Sequence, residues 1–272
     1  VGTNMYDLAR QNTATTDKML QDAAKEGFTV IRFWASAPTS PEKLHEMCDQ
    51  AKKYNLKLIP VLANQWVLPE NGKKGDHWYK AGYQKTYLPH VEQLVSELKD
   101  RPEIMLWELI NEPETEKFES IYNFSKAVSS RIKALNPNHM VSVGTIGGIG
   151  DKFGSQFSRL STNGFKKLYT LHTLDALSIH DYSYDATFLE RMDILYRTKG
   201  DKETAAKFEK LDKITSFVSR KVDQFFLDHF NALLYRPWTV RGLWHQANKE
   251  DLKIAQSLHK PLYVGEVGFK KW

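Results

Sequence analysis

Glu112 stands near the end of the run "IMLWELINEPE" (104 to 114), and Glu266 stands inside "PLYVGEV" (261 to 267). Each carboxylate follows apolar residues that read as a buried strand, where an isolated charge is costly. Two carboxylates facing across a cleft can cleave a glycosidic bond: one protonates the leaving oxygen while the other attacks or activates water. Being the same residue type, they must be told apart by their surroundings. Arg32 and the Tyr182 hydroxyl, in reach of Glu266, would hold it ionised, and a less polar setting would keep Glu112 protonated. Glu108 shares the parity of Glu112 along the strand, so it is expected to face the same side one layer deeper and to pair with Arg32 or another inward polar group.

The chain must bring these residues together from distant positions. Short apolar runs at 2 to 8, 29 to 35, 57 to 64, 104 to 111, 140 to 146, 176 to 182 and 261 to 267 alternate with helix-like stretches at 16 to 27, 41 to 55, 87 to 100 and 116 to 135. Strand followed by helix, repeated this often, predicts a parallel sheet. An open nucleotide-binding sheet would carry a glycine-rich turn after its first strand, and "NMYDLARQNTATT" has none. The closed (β/α)8-type barrel is preferred, with seven strands recognisable and the eighth not evident in the six residues after Glu266. The whole chain, 1 to 272, reads as a single catalytic barrel domain. A largely helical segment at about 183 to 247 forms an insertion or lid before the seventh strand.

In a barrel, the C-terminal ends of the strands converge on one face. Asn4, Arg32, Trp34, Asn64, Trp66, Asn111, Glu112, His180, Tyr182 and Glu266 all stand at such ends. Trp34 and Trp66 are the favoured sugar-stacking platforms, because a flat aromatic face meets the apolar side of a pyranose. Trp238 and Trp244 are further candidates, in a stretch "WTVRGLW" that reads equally as strand or loop. Trp107 falls inside a strand and is expected to pack against a helix.

Other chemistries find little support. His77, His90 and His172 form no metal signature; His180 beside Asp181 reads as a substrate-facing histidine next to a loop aspartate. "VGTIGGIG" (143 to 150) lacks the lysine of a phosphate-binding loop and reads as a turn after a barrel strand. Cys48, the single cysteine, excludes an internal disulfide and reads as a small core residue. The formal charge is +5 and the pI about 9.0, yet the basic doublets are scattered, so neither nucleic acid nor a membrane surface is an expected partner. No apolar stretch is long enough to span a bilayer, and no signal peptide begins the sequence. "NFS" (123 to 125) matches a glycosylation sequon but falls on a predicted helix.

"WELINEP" followed far downstream by "YVGEVGF", with "VIRFW" before them and "SIHDY" between, resembles the clan A glycoside hydrolases, and family 5 in particular. "VIRFWAS", "VLANQW" and "LWELINEPE" resemble its β-mannanase branch. The resemblance implies that Glu112 is the acid/base and Glu266 the nucleophile of a retaining reaction, with carboxyl groups about 5 to 5.5 Å apart. It implies that Asn111 bonds the 2-hydroxyl of the reacting sugar and that Arg32 supports the nucleophile. His180 and Tyr182 would border the same subsite, with Tyr182 also bonding the nucleophile; Asn64, Trp34, Trp66 and Trp244 complete the expected substrate contacts. The implied substrate is a β-1,4-mannan or glucomannan cut internally, with no cofactor and no metal, by a secreted monomer. An endo-β-1,4-glucanase and a non-catalytic carbohydrate-binding barrel are the alternatives.

Overall fold

In the computed structural model of the protein, the described residues are 1–66, 75–115, 117–150, 160–181, 203–204, 206–208, 210–211 and 240–267. The strands are β1 (Gly2–Asn4), β2 (Val30–Trp34), β3 (Lys57–Val61), β4 (Leu106–Asn111), β5 (Met140–Gly144), β6 (Leu177–Asp181) and β7 (Leu262–Val267). The helices are α1 (Thr13–Lys25), α2 (Pro41–Lys53), α3 (Asp76–Lys80), α4 (Tyr87–Glu97), α5 (Phe118–Leu135), α6 (Thr162–Tyr169) and α7 (Val240–Ser257). All seven expected strands are present. "VRGLW" belongs to α7, so the stretch left open between strand and loop is helical from Val240 onward. The rest of the expected 183 to 247 insertion, with Tyr182 and Trp238, lies outside the described residues apart from short helical pieces between 203 and 211.

The chain divides into two compact units, Val1–Thr145 with Leu168–Ser178, and Ile146–Lys167 with Ile179–Trp272. The first contains a five-stranded parallel sheet in the order β1-β2-β3-β4-β5. Parallel strands joined by helices are covered on both faces, and all six residues of β4 are buried. The helices turn one apolar stripe inward: Leu44, Met47, Cys48 and Ala51 on α2, Val91, Leu94 and Val95 on α4, and Ile121, Phe124, Val128 and Ile132 on α5. Each fully buried aliphatic side chain of this kind stabilises the fold by roughly 1.5–3 kcal/mol. Asn12 and Ser40 start α1 and α2 by accepting the N–H groups of Thr15 and Lys43, with Pro41 at the first turn of α2.

Cys48 is buried in α2, and burial pushes its thiol up to about 12, as expected of a core residue. Trp107 is fully buried and donates its indole N–H to His139 Nδ1 at 3.1 Å. In the second unit, β7 pairs with β6, whose last three residues, Ile179 to Asp181, belong to that unit. No helix among the described residues is long and apolar enough to cross a membrane.

Candidate active site

Parallel register sets the first group of functional side chains. Asn4 pairs with Arg32, Glu108 with Ser142, and Asn111 with Gly144, while Asn64 forms an isolated bridge with Asn111. Arg32 Nε donates to Glu108 Oε2 at 2.8 Å and Nη2 to Glu108 Oε1 at 2.5 Å, a two-point ion pair with Arg32 4% and Glu108 0% exposed. The same guanidinium donates to Asn111 Oδ1 at 2.7 Å and to Asn4 Oδ1 at 3.2 Å. Asn111 passes its amide N–H to Asn64 Oδ1 at 3.2 Å, which also accepts the Trp66 backbone N–H. Burying a charge this deeply is tolerated because both partners are ionic and the guanidinium makes further hydrogen bonds to Asn111 and Asn4. The expected pairing of Glu108 with Arg32 is thus present.

Strict alternation is interrupted along β4 before Glu112. β4 and β5 shift register between Glu108 and Asn111, and these two residues, three apart, both reach Arg32. Strict alternation would have put them on opposite faces. Glu112 follows with φ 48, a left-handed backbone that is costly for a non-glycine residue and recurs at functional sites. Its N–H donates to the Gly144 carbonyl at 2.6 Å. Gly144 is required here: a Cβ at that position would run into Glu108 Oε1.

The Glu112 carboxylate accepts the Trp66 indole N–H at 2.5 Å. Trp66 is 49% exposed, so its ring presents an open face while its nitrogen holds the Glu112 carboxylate. The loop that carries it is tied down by Gln65, which accepts the buried Tyr79 hydroxyl at 2.5 Å. On the other side of Glu112, Thr115 donates to Asp76 Oδ1 at 3.3 Å and Ser120 donates to the same oxygen. The bonds from Lys80 and then Ser120 hold the Asp76 carboxyl at about 2. Trp34 packs against Tyr6, a residue not anticipated from sequence, with ring centroids 5.1 Å apart, and the Arg32 guanidinium lies 5.0 Å over its ring.

In the second unit, His180 and Glu266 stand at the ends of β6 and β7, 0% and 6% exposed, with His180 Nδ1 4.0 Å from Glu266 Oε2. Asp181 accepts the Asn248 side-chain N–H at 3.1 Å. Trp244 corrects an expectation. It is 2% exposed on α7 and fills core, so it has no open face for a sugar. Asn248 and Asp251, both on α7, escaped the sequence reading, since polar residues on a helix far from any strand end give no periodic or motif signal.

Repeating parallel strand–helix units with carboxylates at strand ends define a class of fold. The endo-β-1,4-mannanase of Thermotoga petrophila is similar in structure with a TM-score of 0.65 at 21% identity, covering 98% of this chain and 60% of that one. The endo-1,4-β-mannanase of Rhizomucor miehei follows with a TM-score of 0.58 at 18% identity, covering 76% of this chain and 73% of that one. The fold is of the (β/α)8-barrel class. The family model described as Cellulase (glycosyl hydrolase family 5) matches residues 2–226, and the chain belongs to that family. Among its relatives, mannan endo-1,4-beta-mannosidase F of Aspergillus fumigatus is 28% identical over 227 residues, covering 68% of this chain and 52% of that protein. Mannan endo-1,4-beta-mannosidase 1 of Solanum lycopersicum is 28% identical over 234 residues, covering 67% and 58%. The chain spans about half the length of the relatives it matches.

Proposed function

We propose that this chain carries the catalytic machinery of a retaining endo-β-1,4-mannanase, with Glu112 as acid/base and Glu266 as nucleophile. The observation that carries the reading is the setting of Glu112. In a family 5 chain, it follows an asparagine locked to a buried arginine, in a left-handed backbone, with its carboxylate fixed by Trp66. The mannan-cleaving names of the relatives and of the structural neighbours support mannan as the substrate class.

In the first step, a Glu266 oxygen attacks the anomeric carbon, the bond to the leaving oxygen breaks, and Glu112 gives that oxygen its proton. In the second, Glu112 takes a proton from water, the water oxygen attacks the same carbon, and Glu266 leaves as a carboxylate. Two inversions give net retention. Asn111, held by Arg32 and Asn64, is assigned to the 2-hydroxyl of the reacting sugar, and the exposed Trp66 and the Trp34 ring to stacking. Arg32 donates to Glu108, Asn111 and Asn4, so its support is assigned first to Asn111. His180 borders Glu266, and Tyr182 keeps its proposed place beside the nucleophile on the resemblance alone. Action on polysaccharide outside the cell, as a monomer without a cofactor, completes the reading and rests likewise on the resemblance.

Reducing-sugar release from mannan, glucomannan and carboxymethyl cellulose tests it. Wild type should release sugar from the first two, and Glu112→Gln and Glu266→Gln should each lose on the order of a thousandfold or more in kcat. Preference for carboxymethyl cellulose would move the assignment to a glucanase, and full activity in either variant would overturn it.

A further inference from the structure

Helix α7 turns Trp244, Ala247, Asp251 and Ala255 inward on one face. Asp251 is out of place among them, a carboxylate with 0% exposure on a helix surface, where aspartate is almost never fully buried unless engaged. Its Oδ2 accepts the Gly148 N–H at 3.0 Å. The turn closes so tightly on this carboxylate that a Cβ on Gly147, where φ is +120, would lie 2.6 Å from Oδ2, and one on Gly148 would lie 2.9 Å from Oδ1. That contact, together with Phe165 Cβ and Thr162 Cα, each 2.9 Å from where a Cβ on Gly148 would lie, explains the paired glycines of "TIGGIG".

The turn leads directly to the functional residues. Just before Gly147, the Ile146 carbonyl accepts the His180 N–H at 3.2 Å, and His180 Nδ1 stands 4.0 Å from Glu266 Oε2. On the other side of His180, Asn248, one turn before Asp251, donates to Asp181 Oδ2 at 3.1 Å. Two polar residues of one helix therefore grip the segments that bracket His180.

We propose that Asp251 and Asn248 are positioning residues that set His180 against Glu266, Asp251 through the 146–148 turn and Asn248 through Asp181. The inference rests on Glu266 being the nucleophile. A displacement of about 1 Å at a reacting group costs on the order of a hundredfold in rate, so the clamp acts on kcat rather than on substrate affinity.

The test compares Asp251→Ala, Asp251→Asn and Asn248→Ala with wild type. The readouts are kcat and KM on a manno-oligosaccharide, together with the NMR signal of the His180 imidazole, assigned by its loss in His180→Gln. Asp251→Ala should lower kcat on the order of 10- to 100-fold with KM within about threefold, and the His180 signal should move. Asp251→Asn, which keeps an acceptor for the Gly148 N–H, should restore most of the rate and return the signal. Should Asp251→Ala not fold, Asn248→Ala carries the same two readouts. The inference is overturned by an unmoved His180 signal with kcat within about threefold of wild type, or by Asp251→Asn failing to restore what Asp251→Ala loses. The NMR signal requires no turnover, so it decides the positioning role even if wild type leaves mannan intact, a result that would count against the proposed function alone.

Discussion

Arg32 and Glu108 illustrate how a buried ion pair serves a site without reacting in it. The pair is almost fully desolvated, so its Coulomb gain is largely offset by the cost of removing both charges from water. Its use is geometric, because the guanidinium that binds Glu108 also fixes Asn111 beside Glu112. Removing one partner leaves the other charge buried and unpaired, and Glu108→Ala should lose about 3–5 kcal/mol, measured by urea unfolding at neutral pH. A loss below about 1 kcal/mol, the range of a surface pair, would contradict the burial. Gly144→Ala probes the same cluster from the opposite strand. Its Cβ would take the place of Glu108 Oε1, and the variant should lose roughly 1–3 kcal/mol and part of its activity. An alanine tolerated at no cost in the same unfolding assay would mean that Glu108 has room to move.

At the scale of elements, the strands were legible and the irregularities were not. β-rich runs alternating with helical stretches mark all seven strands, and Arg32, Asn111, Glu112, His180 and Glu266 stand at or near the ends of those runs. The register shift between Glu108 and Asn111 leaves no trace in residue types. Trp244 was misplaced because a tryptophan in an undecided segment reads the same whether it ends a strand or fills the inner face of a helix. The α7 clamp was invisible for a related reason: Asp251 meets Gly148 across 103 positions of sequence.

One element also carries a titration. His139, just ahead of β5, accepts the Trp107 indole N–H on Nδ1, while its Nε2 lies 3.1 Å from the Arg101 carbonyl and donates to it. Burial pulls its pKa below the usual 6.5. The unfolded imidazole therefore protonates first as pH falls. The contribution of His139 to stability is complete above about pH 6.5 and is lost as pH drops through the lower folded value. The urea midpoint should fall between pH 7 and pH 5 in wild type, and the fall should be smaller in His139→Gln. Equal slopes in the two proteins would assign the acid sensitivity to other groups.

For the whole molecule, composition had narrowed the field before any motif was read. Basic residues are scattered on a chain of ordinary hydrophobic content, and the single cysteine, Cys48, is buried. Membership of family 5 accounts for the fold. In the proposed reading, the choice of mannan over glucan depends on how the 2-hydroxyl is read, and therefore on Asn111 and its neighbours, not on the barrel class. A comparison of kcat/KM on manno- and cello-oligosaccharides of equal length should favour the mannose series, and a preference for the glucose series would move the substrate to the cellulase side of the family.

In the proposed reaction, Glu266 forms a covalent bond to the sugar while Glu112 transfers the protons. Incubation of the active protein with 2-deoxy-2-fluoro-β-mannosyl fluoride, followed by proteolysis and peptide mass spectrometry, tests it most directly. A fluoromannosyl ester should form on Glu266 and be absent from Glu266→Gln. An ester on any other residue, or none in a preparation that still hydrolyses mannan, would contradict it.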